Sequence, residues 1–283
     1  MQNLIGNTPL VKVADRIYAK LETYNPSGSI KDRMAYFILT HAMRRGELKR
    51  GDTIVEATSG NTGIAMSMLG AAMGHPVVII MPRNMSEERK CMMRTYGAEI
   101  IEVGDNAFKD AIELRNKMCE ENKNYFNPKQ FSNLDNILCH KTTTAQEIIK
   151  QTTTISAFIA GSGTGGTLMG ISEAFRDHLA FYETKIVQVQ PEESNALHGI
   201  QGINDGEDIL LNKSIVDETI FIKTKDAIAR AKRLVRENGL LVGISSGANV
   251  LAAEQWVKNN NPKNPVVTIL CDRGERYFSC FED

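Results

Sequence analysis

The sequence predicts an α/β fold in which mostly parallel sheets are flanked by helices. Short apolar runs of strand length alternate with longer runs at helical spacing. The compact strand run VVIIM at 77–81 is continuously apolar and VVTIL at 266–270 nearly so, as strands covered on both faces are. Glycine-rich turns join strand to helix in ATSGNTGI at 57–64, GSGTGGT at 161–167 and GISSGAN at 243–249. The alternation comes in two series. A chain of 283 residues can bury one large core or two modest ones.

The first series opens with a helix over 32–45, with Asp32 on the positive end of its dipole and Gly46 as its stop. A short strand at 53–56, an apolar helix at 61–72 and a strand at 76–81 follow. Ser86 caps a helix over 86–96, and Glu87 and Glu88 suit its first turn. The series closes with a strand at 99–103 and a helix at 108–122. The second series reads as a strand at 155–160, a helix at 166–178 and a strand at 185–190. A helix at 226–237, a strand at 240–244, a helix at 248–258 and a strand at 266–270 complete it. The stretch 191–224, with Gly199, Gly202 and Gly206, shows no period; loops that long in α/β proteins are usually functional or mobile.

Composition narrows the function. Lys plus Arg number 33 against 34 Asp plus Glu, so no overall charge draws the chain to nucleic acid or an anionic membrane. No apolar run approaches the length of a membrane span. The N-terminal MQNLIGNTPLVKV lacks a basic flank and apolar signal core, so a cytoplasmic location is expected. Five cysteines, an odd number with no CxxC pair, read as free thiols in a reducing compartment. The five histidines show no ligand spacing, and no metal is expected.

The chemistry gathers in the turns. In PSGSIKDR at 26–33, Pro26, Gly28 and two serines build a tight turn ahead of Lys31, able to hold that amine in one place. Imine chemistry needs such a placed, partly desolvated lysine, although most lysines are solvated surface charges. In ATSGNTGI, Thr58, Ser59, Asn61 and Thr62 crowd hydroxyls and an amide around Gly60 and Gly63 at a helix start. That nest suits a substrate carboxylate, or is a plain N-cap and turn. GSGTGGT is an anion cradle: Gly163, Gly165 and Gly166 admit close approach, while Thr164 and Thr167 can donate hydroxyls. Its spacing is neither GxGxxG with a downstream acid nor GxxxxGK[ST], so a small phosphate ester fits better than a nucleotide. Ser245 can bond a cofactor ring nitrogen or cap the helix starting near Ala248. A placed lysine and a separate phosphate loop together suggest pyridoxal phosphate.

Taken together, IGNTPLV at 5–11, NPSGSIKDR at 25–33, EATSGNTGI at 56–64, QFSNLDN at 130–136, GTGGT at 163–167 and GISSGA at 243–248 resemble the cysteine synthase branch of the fold-type II pyridoxal-phosphate enzymes. The resemblance spans almost the whole chain. It implies two α/β domains, a large cofactor-binding one from 1–24 with 137–283 and a small mobile one, 25–136, that closes on substrate. It places the Schiff-base link on Lys31 and the cofactor phosphate on Gly163–Thr167. Asn61 is implied to contact the 3′ oxygen of the cofactor and Ser245 its pyridine nitrogen. Thr58, Ser59, Gly60, Thr62 and Gln130 would hold the substrate α-carboxylate.

The activity implied is β-replacement: sulfide displaces acetate from O-acetyl-L-serine to give L-cysteine. One segment departs from the pattern. HGIQGI at 198–203 is usually followed by small residues, whereas here Asn204, Asp205 and Gly206 follow. An inward Asp205 can activate water or protonate a leaving thiolate. Cysteine would then be the first substrate, releasing hydrogen sulfide and forming serine or a thioether. A third alternative is a catalytically quiet homologue kept for binding a partner. The resemblance also implies a homodimer, and a cleft able to take the C-terminal peptide of serine acetyltransferase.

Overall fold

The computed structural model describes residues 1–58, 60–193 and 210–281. It contains two sheets, each flanked by helices. A hairpin begins the chain, β1 (Leu10–Ala14) and β2 (Ile17–Leu21), turned at Arg16 with φ of 58°. Sequence reasoning treated this region only as a motif. After α1 (Lys31–Arg45) come β3 (Thr53–Ala57), α2 (Asn61–Met73), β4 (Val77–Pro82), α3 (Glu87–Thr95), β5 (Glu99–Val103), α4 (Phe108–Glu121) and β6 (Tyr125–Phe126). Two short helices follow, α5 (Asp135–Thr142) and α6 (Thr144–Gln151). The chain continues through β7 (Ala157–Gly161), α7 (Gly166–Arg176), β8 (Lys185–Pro191), β9 (Glu218–Ile222), α8 (Thr224–Asn238), α9 (Ile244–Asn260), β10 (Val266–Leu270) and α10 (Phe278–Phe281).

The six-stranded sheet runs β1-β2-β10-β7-β8-β9 and the four-stranded sheet β5-β4-β3-β6. Every pair is parallel except the β1–β2 hairpin. The four-stranded sheet lies wholly within 53–126, and the six-stranded sheet uses only residues outside that span. Central strands β4, β7 and β10 are almost entirely buried, which is why they read as largely apolar runs. Within the four-stranded sheet the period of two is kept. Ile54, Val77 and Ile79 face α1 and α2, while Val55, Val78 and Ile80 face Ala111 of α4.

Two expectations need correction. Residues 240–244 are not a strand: Val242 makes one isolated bridge with Arg273, and α9 already begins at Ile244. Gly243 is extended and ends the approach, so the apolar run LLVGI serves as a connection into a buried helix. Accordingly the helix expected from Ala248 starts four residues earlier, and Ser245 sits in its first turn. The unassigned stretch 191–224 contains β9, an edge strand whose mixed exposure hides its period.

Candidate functional site

Three parallel strands, β3, β7 and β10, deliver their carboxyl ends to one cleft, the usual location for sites in open α/β sheets. Lys31 lines it, as do Thr58, Asn61, Thr62, Gln130, Gly163, Thr164, Gly165, Thr167 and Ser245. Gly60 and Gly166 stand behind the lining at the starts of α2 and α7. Ser59 and Asp205 lie outside the described residues.

The turn carrying Lys31 is fixed from both sides. Buried Asp32 accepts from the Ser27 N–H at 2.6 Å and from the Ser27 hydroxyl. Burial pushes the Asp32 carboxyl up to about 6 in spite of those bonds. Across the turn, Ile30 N–H donates to the Cys271 carbonyl at 2.9 Å and Arg273 N–H to the Gly28 carbonyl at 3.0 Å. Gly28 has φ of 87°, and a Cβ there would lie 2.8 Å from Arg273 Cδ, so only glycine suits this turn. Lys31 then starts α1, with its N–H on Ser29 Oγ at 3.2 Å.

Segment 271–277, CDRGERY, anchors the opposite wall. Asn61 Nδ2 donates to Asp272 at 2.7 Å, and Arg276 donates to Asn61 Oδ1 and to the Ser27 carbonyl. The amide is thereby held in one orientation, with its second hydrogen left for a guest. Tyr277 donates to the same Asp272 oxygen; burial, then that carboxylate, pushes the phenol pKa up. Burial also pushes the Cys271 thiol up to about 12, with Asp272 adding to the shift, so this cleft cysteine stays protonated and is a poor nucleophile at neutral pH. None of these roles was read from the sequence. The signal was present: a dense charged and aromatic cluster directly after a buried strand.

Gln130 closes the turn between β3 and α2 by donating to the Ala57 carbonyl at 3.1 Å and accepting from Thr62 at 2.7 Å. Below the 163–167 loop, buried His140 meets Thr167 Oγ1 at 3.3 Å and Thr144 Oγ1 at 2.9 Å. Burial, reinforced by Lys31 and Arg33, holds its pKa well below the ordinary value, so the imidazole is neutral.

The donor set fits pyridoxal phosphate. Lys31 offers an amine for the aldehyde carbon, the N-terminus of α7 offers N–H groups for the phosphate, and Ser245 offers a hydroxyl for the ring nitrogen. These features define a pyridoxal-phosphate enzyme.

The chain belongs to the pyridoxal-phosphate dependent enzyme family, whose model matches residues 1–272. Within it the chain is a fold-type II enzyme of the cysteine synthase kind. It is 41% identical to a cysteine synthase of Staphylococcus aureus, over 98% of this chain and 94% of that one. A hydrogen sulfide-producing enzyme from Fusobacterium nucleatum superposes with a TM-score of 0.92 at 38% identity, covering 100% of this chain and 91% of that one. A variant of that enzyme with asparagine in place of an aspartate, complexed with an α-aminoacrylate intermediate, superposes at 0.91 and 39% identity, covering 98% and 89%. The chain is thus an enzyme that uses pyridoxal phosphate for β-replacement or β-elimination on a small amino acid.

The phosphate-loop glycines give a direct test. A Cβ on Gly166 would overlap the Asn136 side chain, and one on Gly165, whose φ is 81°, would lie 2.6 Å from Leu211 N. The collision in each case is with the protein behind the loop. Gly166→Val is expected to weaken cofactor binding at least about tenfold, by displacing the donors the phosphate needs, with little change in amino-acid preference. Titration of the apoenzyme at the visible cofactor band measures this. Unchanged affinity with altered preference would assign the loop to the substrate.

Proposed function

We propose that the first substrate is L-cysteine, from which the enzyme releases hydrogen sulfide and forms serine with water, or a thioether with a second thiol. The observation that carries this reading is Asp205, an acid where small residues are the pattern. Two findings support it. The structural neighbour is named for hydrogen sulfide production, and its intermediate-bound form carries an aspartate-to-asparagine change. A second reading, cysteine formation from O-acetylserine and sulfide, is supported by the name of the Staphylococcus relative.

Bound pyridoxal phosphate supplies the electron sink for α-proton loss and β-elimination. The rest falls to the chain. Lys31 would take the α-proton as a free amine and later return it to the same carbon. Asn61, pinned by Asp272 and Arg276, and Ser245 orient the ring. Thr58, Ser59, Gly60, Thr62 and Gln130 hold the carboxylate. Closure of the 25–136 domain over it excludes water until the leaving group departs. Asp205 protonates the departing thiolate as the C–S bond breaks. As a carboxylate it then removes a proton from water as the new C–O bond forms, so cysteine plus water gives serine plus hydrogen sulfide. The Lys31 and Asp205 protons are each returned within the cycle.

Native and Asp205→Asn proteins incubated with cysteine alone, and with O-acetylserine plus sulfide, test the assignment. Native protein is expected to give serine and sulfide from cysteine, and the variant about a hundredfold less or lower still. Retention of the cysteine reaction in the variant would remove Asp205 from the mechanism. Cysteine produced only from the second mixture would establish the synthase reading instead.

A further inference from the structure

The segment QFSNLDN contributes a second polar residue besides Gln130. Asn136 is 1% exposed, at the start of α5, between the carboxylate loop and the phosphate loop. Its Nδ2 donates to the Gln130 carbonyl at 3.0 Å and to Thr164 Oγ1 at 2.9 Å. The first of these fixes the side chain's orientation. A carbonyl oxygen can only accept, so the amino end of the amide must face it. The same nitrogen reaches Thr164, so the threonine oxygen must accept there too.

Thr164 Oγ1 has a second donor, the Gly166 N–H at 3.4 Å. A hydroxyl oxygen accepts twice and donates once. With both lone pairs engaged, its hydrogen must point in the remaining direction. No described residue accepts it, and Thr164 lines the cleft. We infer that Asn136 is a positioning residue that forces the Thr164 hydroxyl to act as a donor toward the cofactor phosphate. The inference rests on the reading of Gly163–Thr167 as the phosphate seat. Without Asn136, the hydroxyl could rotate and use an internal acceptor, and the anion would lose one charge-assisted bond.

The test compares pyridoxal phosphate with pyridoxal, which has the same ring and aldehyde but no phosphate. Apo forms of the native protein, Asn136→Leu, Thr164→Val and the double variant are titrated with each aldehyde. Both single variants are expected to bind pyridoxal phosphate about ten- to a hundredfold more weakly, the range for a hydrogen bond to a charged group, while pyridoxal changes less than about threefold. Because the two act through one hydroxyl, the double variant is expected to be no weaker than the weaker single one. The phosphorus resonance of the bound cofactor should shift alike in both single variants, a signature that loosened packing alone would not give.

Equal losses for both aldehydes in Asn136→Leu, or additive losses in the double variant, would reduce Asn136 to a packing role. Should Thr164→Val leave the ratio of the two affinities unchanged, the phosphate-seat reading itself fails. That outcome is distinct from an effect of Thr164→Val that Asn136→Leu does not share. Apoprotein melting by circular dichroism checks folding, and Asn136→Ala, which adds no bulk, carries the same comparison if the leucine variant does not fold.

Discussion

Lys31→Ala is expected to lower turnover by roughly three orders of magnitude or more while leaving the fold intact. Loss of a positioned general base alone costs about 10²–10⁴ in rate, and in the role proposed for Lys31 the variant would also lose the covalent anchor for the cofactor. The fold should survive because the surrounding turn is held by other groups. Asp32 holds Ser27, Ile30 N–H reaches the Cys271 carbonyl, and Arg273 N–H reaches the Gly28 carbonyl. Alanine is also well suited to the first position of α1. Borohydride reduction of the native holoenzyme followed by peptide mass mapping is expected to place the pyridoxyl adduct on Lys31. Two other lysines are poor competitors. Lys20 is fully buried on Glu147, and Lys141 is paired at the surface with Glu173 and Asp177. An adduct on either would overturn the assignment.

The turn carrying Lys31 was legible because it is built from residue types with strong local meaning. Gly28 at positive φ and the bonds of Ser27 to Asp32 set the local shape of the turn, which segment 271–276 then holds from outside. The same holds for the phosphate loop, where glycine, threonine and a helix start adjoin in sequence. Strands β4 and β10 were equally plain, since burial on both faces leaves at most one polar residue, Thr268 of β10, to blur the run. Long-range partnerships were hidden. Asn61 meets Asp272 and Arg276 more than two hundred positions away, and nothing local to either segment announces the pairing. Edge strand β9 escaped notice because its exposed residues, Glu218 and Phe221, lie three positions apart and break the period of two. The run at 240–244 misled for the opposite reason: Val242 and Ile244 are buried, and Leu240 and Leu241 half-buried, as a connection, and burial alone does not specify a strand. Asn136 stood inside a recognised segment, yet its role depends on two acceptors brought together only by the fold.

Arg33→Met is expected to cost about 3–5 kcal/mol of stability, the loss typical of breaking a buried ion pair from one side. Arg33 is almost wholly buried. Its guanidinium bonds Glu22 at 2.7 and 2.9 Å and Glu147 at 2.6 and 2.8 Å. Those carboxylates organise the N-terminal IGNTP segment: Asn7 N–H donates to Glu147 at 2.8 Å, and the Thr8 hydroxyl to Glu22 at 2.7 Å. Lys20 adds a 2.5 Å contact to Glu147. Methionine fills much of the arginine's volume, so the loss would report stranded charge more than a cavity. Glu22 would be the worse affected, being fully buried with Arg33 as its direct ion-pair partner. The pH dependence follows with a definite sign. Burial alone would raise the Glu147 carboxyl, but Arg33 and then Lys20 outweigh it and hold it at about 2, below its ordinary 4.5. A depressed carboxylate contributes stability that is complete above its unfolded pKa and disappears as pH falls through the folded one. The gap between native and Arg33→Met proteins should therefore be largest at neutral pH and narrow as pH falls from about 4.5 toward 2. Urea unfolding of both proteins across that range measures it. A neutral-pH difference under about 1 kcal/mol would mean that the network contributes little beyond its packing.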